Sequence, residues 1–79
     1  MKIPEMKPTS SSQIASIGYD EDESKLFIQF TRGGIYAYSN VSEDQFNNLL
    51  NSASIGKEFA KEIKGQARHP FVKVEGVAS

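Results

Sequence analysis

KLFIQFTRGGIYAY, residues 25 to 38, reads as a β-hairpin and decides the fold. Leu26, Ile28 and Phe30 alternate with Phe27, Gln29 and Thr31; Arg32-Gly33-Gly34 interrupts the alternation; Tyr36 and Tyr38 then alternate with Ile35 and Ala37. The turn sets which side chains share a face. A two-residue loop at Arg32-Gly33 places Phe30 opposite Ile35, whereas a loop in which Gly34 supplies a positive φ places Phe30 opposite Tyr36 and Ile28 opposite Tyr38. The second arrangement is favoured because it gathers Leu26, Ile28, Phe30, Tyr36 and Tyr38 onto one apolar face, and a one-residue slip would scatter them. Phe27, Ile35 and Ala37 then point the other way, where a three-stranded sheet in so short a chain leaves nothing to cover them. They are read as an interaction face for a protein partner or a second copy.

Upstream, QIASIGYD from Gln13 to Asp20 is a first strand, with Ile17 and Tyr19 on one face and Ile14 on the other. The acidic run Asp20 to Ser24 makes the connection to Lys25. Asp20, Asp22 and Ser24 imitate the opening of a calcium loop, but Lys25 stands where the turn glycine belongs and Thr31 where the bidentate glutamate belongs. A solvated turn is the better reading. Residues 1–12 hold two prolines and four consecutive Ser/Thr and are read as a flexible arm.

Downstream, Ser42 with Gln45 forms a capping box, Val41 is placed to staple to Phe46, and Glu43 and Asp44 suit the positive end of a helix dipole. Phe46, Leu49 and Leu50 then recur at helical spacing. Ser52 or Ser54 caps a second helix that carries Phe59 and Ile63 inward and stops near Gly65. On its opposite side Lys57, Lys61 and Lys64 form a basic stripe, which Arg68 joins only if the helix outlives Gly65. The segment from Arg68 to Val74 is extended by Pro70 and either adds a short strand or packs Phe71 back on the domain. Residues 75–79 are expected to fray.

Seventy-nine residues make one domain, spanning 13–74. Nine basic and ten acidic side chains give a formal charge of −1, which does not announce a nucleic-acid or membrane partner by bulk charge. No stretch approaches a membrane span or a signal peptide, so a cytoplasmic location is the expectation. With no cysteine and one histidine, neither a disulfide frame, a transition-metal site nor a cofactor is indicated. Nor is a catalytic group. His69 has no nucleophile placed near it, and Ser54-Ile55-Gly56-Lys57 matches an acyltransferase motif in letters only.

The ordered set Ile17-Gly18-Tyr19-Asp20, Leu26 to Phe30, Tyr36-Ala37-Tyr38, Val41 and Ala53-Ser54-Ile55-Gly56 with Phe59 and Ile63 resembles the KTSC domain. His69-Pro70-Phe71 resembles that family's closing aromatic-Pro stretch, with His69 where an aromatic is more usual. KTSC domains occur at the C-terminus of some lysyl-tRNA synthetases and as free-standing bacterial or phage proteins, and the resemblance implies an RNA-associated accessory role.

The expectation is therefore an α+β domain: a three-stranded antiparallel β-meander, then a two-helix hairpin on one face, with room for a C-terminal strand. Its core is Ile17, Tyr19, Leu26, Ile28, Phe30, Tyr36, Tyr38, Phe46, Leu49, Leu50, Phe59 and Ile63. Tyr36 and Tyr38 are candidates for base stacking, but the same face must receive Phe46, Leu49 and Phe59, so packing takes precedence. The chain is read as a non-enzymatic binding module for RNA, tRNA included, through Arg32, Lys57, Lys61, Lys64 and Arg68; residues 55–79 carry five bases against three acids. The alternative is a protein-interaction or self-assembly module using Phe27, Ile35 and Ala37.

Overall fold

The hairpin forms the middle of a wider sheet. The computed structural model describes residues 3–74, so the expected fraying of 75–79 lies outside the described residues. Five strands form one antiparallel sheet in sequential order: β1 (Lys7–Pro8), β2 (Ile14–Asp20), β3 (Lys25–Phe30), β4 (Ile35–Tyr38) and β5 (Phe71–Val74). Two helices, α1 (Glu43–Asn51) and α2 (Ile55–Glu62), separate β4 from β5 and pack on one face. The meander and helical hairpin are as read, with a short strand added at each edge.

The helix boundaries follow the local signals. Ser42 Oγ accepts from the Gln45 N–H at 3.1 Å while Gln45 Oε1 accepts from the Ser42 N–H at 3.0 Å, which completes the capping box. Of the two candidate caps for α2 it is Ser54 that serves, accepting from the Lys57 N–H at 3.4 Å. The helix ends before Lys64, and Gly65 turns the chain at φ 78°.

The hairpin register differs from expectation. Ile28 faces Tyr36 and Leu26 faces Tyr38, two residues from the expected pairing. Phe30 N–H donates to the Gly34 carbonyl at 3.2 Å and Gly33 N–H to the Phe30 carbonyl at 2.9 Å, so both glycines hold positive φ, 108° and 86°. A slip of two preserves parity, and Leu26, Ile28, Phe30, Tyr36 and Tyr38 still share the helix face. Ile14 is a second correction. A β-bulge between Ile14 and Ser16 adds one residue to β2, which turns Ile14 onto the same face as Ile17, where it is buried.

The larger correction concerns the opposite face. Phe27, Ala37 and Ile35 are 0 %, 1 % and 8 % exposed, so they are no interaction surface. They form a second apolar cluster with Val74, and Ile3 and Met6 pack against it. The cover comes from the segment read as a flexible arm: Lys7 pairs with Ile17, Pro8 with Ser16, and Thr9 N–H donates to the Ala15 carbonyl at 3.0 Å. Gly18 permits that approach. A Cβ there would stand 2.7 Å from both the Glu5 carbonyl oxygen and Met6 Sδ. Composition failed here because two apolar residues in a polar segment suffice to cover one phenylalanine.

Candidate functional site

The helix face is not closed everywhere. Where the β3–β4 turn and β5 meet the chain leaving α2, a cleft of about 740 Å³ opens, within the roughly 300–1,000 Å³ range of small-ligand sites. Phe30, Tyr36, Tyr38 and Phe71 supply its aromatic wall, Arg32 and Lys64 its cations, and Ser12, Gln13 and Thr31 a polar end.

The rings support one another. Phe30 meets Tyr36 edge-on at 5.5 Å between centroids, Tyr36 meets Phe71 at 5.7 Å, and Tyr38 meets Phe71 at 5.3 Å. Tyr38 and Phe30 also pack edge-on against Phe59 of α2, at 5.0 and 6.1 Å. Contacts of this kind contribute about 0.5–1.5 kcal/mol each beyond area burial, so the wall is a preformed surface. Burial, and after it the neighbouring Tyr36, pushes the Tyr38 hydroxyl above its ordinary pKa of 10.0. Phe71 is the accessible member, 57 % exposed.

The charge around the cleft is one-sided. Residues 31–41 and 64–74, which build β4, β5 and their turns, contain Arg32, Lys64, Arg68 and Lys73 and no acid. An acidic chain thus keeps a basic end.

A hydrogen-bonded clasp holds β5 in place. His69 is 3 % exposed; its Nδ1–H donates to the Ser39 carbonyl at 3.0 Å and its Nε2 accepts from Gln45 Nε2 at 3.3 Å. This assignment follows from the capping box, which engages Gln45 Oε1 and leaves the amide NH₂ for the ring. Asn40 Nδ2 adds a bond to the Arg68 carbonyl at 3.0 Å. The one histidine therefore ties β4, α1 and β5 together, with both ring nitrogens engaged.

The KTSC domain model matches residues 10–66. The chain belongs to the KTSC family. The crystal structure of a KTSC domain protein from Yersinia pestis superposes with a TM-score of 0.83 at 40 % identity, covering 89 % of this chain and 96 % of that one. A protein of Tsukamurella paurometabola is 40 % identical over 52 residues, which is 66 % of this chain and 78 % of the relative. An uncharacterized protein of Stutzerimonas stutzeri is 34 % identical over 56 residues, 71 % and 79 % of the two chains. The KTSC match ends before β5, so Phe71 and Lys73 lie beyond the matched stretch.

Within this KTSC fold the residues expected to contact RNA are divided. Arg32 and Lys64 come together at the cleft. Lys57 and Lys61 remain on the exposed side of α2, where Lys61 stands 4.0 Å from Glu62, and neither lines the cleft. The end of α2 at Glu62 breaks the lysine stripe, since Lys64 falls in the turn beyond it. Arg68 is exposed on the approach to β5. Sequence reasoning missed Phe71 as a cleft wall, Lys73 and the His69 clasp. The extended stretch around Pro70 was a signal for the strand; nothing local indicates which strand it joins.

Proposed function

We propose that this KTSC protein is a non-enzymatic binding module that takes a single-stranded segment of RNA in the cleft walled by Phe30, Tyr36 and Phe71. The observation that carries the reading is the coincidence of an open aromatic wall with the acid-free, four-cation end of an otherwise acidic chain. Unpaired bases stack on accessible rings, here Phe71 and the half-buried Tyr36, while Arg32 and Lys64 reach phosphates. Tyr38, 4 % exposed, is the floor on which those rings rest. A duplex presents its base faces to neighbouring bases, which favours single strands and loops over paired regions. The likeness to the KTSC domains of lysyl-tRNA synthetases makes tRNA the first RNA to test.

Fluorescence titration of a single-stranded oligonucleotide and of tRNA at two salt concentrations tests it. Phe71→Ala is expected to weaken binding by about tenfold or more, since each stacked base contributes roughly 1–3 kcal/mol. Arg32→Gln with Lys64→Gln should lower the salt slope by roughly 0.7 per lost phosphate contact, and Lys57→Gln with Lys61→Gln should change little. Wild-type protein that binds neither RNA at low salt ends the proposal; equal binding by Phe71→Ala removes the cleft from it.

A further inference from the structure

Phe71 and Val72, 57 % and 53 % exposed, are the large apolar side chains left in solvent among the described residues, and they are neighbours on the edge strand β5. Successive strand residues point to opposite faces, so what is open is an edge. Its backbone is open too. Ser39 N–H donates to the Pro70 carbonyl at 2.9 Å. Hydrogen-bonded pairs alternate in an antiparallel ladder, so Ala37–Val72 and Ile35–Val74 are the bonded pairs that follow. The N–H and C=O groups of Phe71 and Lys73 therefore point outward, and nothing among the described residues pairs with them. Pro70 lacks its donor on the inner side and does not protect the edge, and the β4–β5 register contains no bulge.

We infer that β5 pairs antiparallel with β5 of a second copy, about a two-fold axis at Val72. In this register Phe71 and Lys73 of each copy exchange bonds with Lys73 and Phe71 of the other, four in all, and the two Val72 side chains bury each other. The neighbouring registers are poorer. Centring on Phe71 sets Lys73 against His69, whose N–H already donates to the Gln66 carbonyl at 3.0 Å. Centring on Lys73 sets like charges directly opposite, which destabilises a strand pair. The pairing joins two five-stranded sheets into one and brings the two basic ends side by side. It stands whether or not the cleft takes RNA.

Single-cysteine variants of this cysteine-free chain give the test. At the two-fold axis a Val72→Cys pair is non-hydrogen-bonded, with Cβ atoms about 4.5 Å apart, close enough for a disulfide. Lys73→Cys pairs are offset by roughly 7 Å along the strand. Under mild oxidation the Val72→Cys chain is expected to form covalent dimers at least about tenfold faster than Lys73→Cys. Light scattering of wild type should show the mass rise towards double with concentration, and Lys73→Pro, which deletes an outward donor and no ladder bond to β4, should stay monomeric with its circular dichroism unchanged. A wild-type monomer at millimolar concentration, with the two cysteine variants cross-linking equally slowly, overturns the inference. So does a monomer whose β5 edge is filled only by a foreign extended peptide.

Discussion

The two faces of the sheet are equally dry at their centres and very differently covered. On the helix face Ile14, Ile17, Leu26, Ile28 and Tyr38 lie beneath two capped helices that add Leu49, Phe59 and Ile63. On the other face Phe27, Ile35, Ala37 and Val74 lie beneath one extended segment, contributing Ile3 and Met6 and tied to the sheet by the two-residue strand β1. Burial of a side chain and robustness of its cover are therefore separate properties. A phenylalanine at 0 % exposure depends on a segment with few contacts of its own, which is the kind of element that opens first.

The largest expected effect tests the burial itself. Phe27→Ala should cost about 3–5 kcal/mol, enough to unfold much of so small a domain, while Phe30→Ala at the half-open cleft should cost about 1–2 kcal/mol. Urea titrations of the two variants decide it; a smaller loss for Phe27 would mean that the arm does not seal that face in solution. Next comes the clasp behind the helix face. His69→Ala leaves the Ser39 carbonyl and the Gln45 amide without their partner and should cost about 2 kcal/mol, with loss of amide-exchange protection in β5.

The thin cover is tested by Gly18→Ala. The added Cβ meets the Glu5 carbonyl and Met6 at 2.7 Å, so the arm must lift, at about 1–2 kcal/mol. Proteases should then cut residues 3–8 faster while the helices stay protected; an unchanged cleavage rate would show that the arm is not seated on Gly18. The smallest effect is a pH slope. Because folding raises the Tyr38 pKa above its ordinary 10.0, the protonated hydroxyl is favoured in the native state. Its contribution is full below pH 10 and is lost as pH rises through the folded pKa. Tyr38→Phe should flatten that decline in thermal melts recorded between pH 9 and about 11.

Much of the helix face was legible because its signals are local. Ser42 and Gln45 mark the start of α1 through a bond three residues apart, and the parity of Leu26, Ile28, Phe30, Tyr36 and Tyr38 survives any even slip of the hairpin. The arm face was not legible, because the residues that cover Phe27 lie more than twenty positions upstream in a segment with no period of its own. The cleft was legible only in part. Arg32 and Lys64 were named, but the aromatic wall needs Phe71, which reaches Tyr36 and Tyr38 through strand pairing across more than thirty residues.

By itself, then, the sequence determined the hairpin, the cap of α1 and the apolar parity of β3 and β4, since each depends on residues within a turn or two of one another, and it ruled out any cysteine-based frame. Only the tertiary structure decided the two-residue register shift, the bulge that turns Ile14 inward, the seating of Ile3 and Met6 on Phe27, and the meeting of Phe71 with Arg32 and Lys64. The register follows from the turn bonds between Phe30 and the two glycines, whereas the other features arise from contacts between segments more distant in the chain, selected by which arrangement leaves the least apolar surface and the fewest backbone groups exposed.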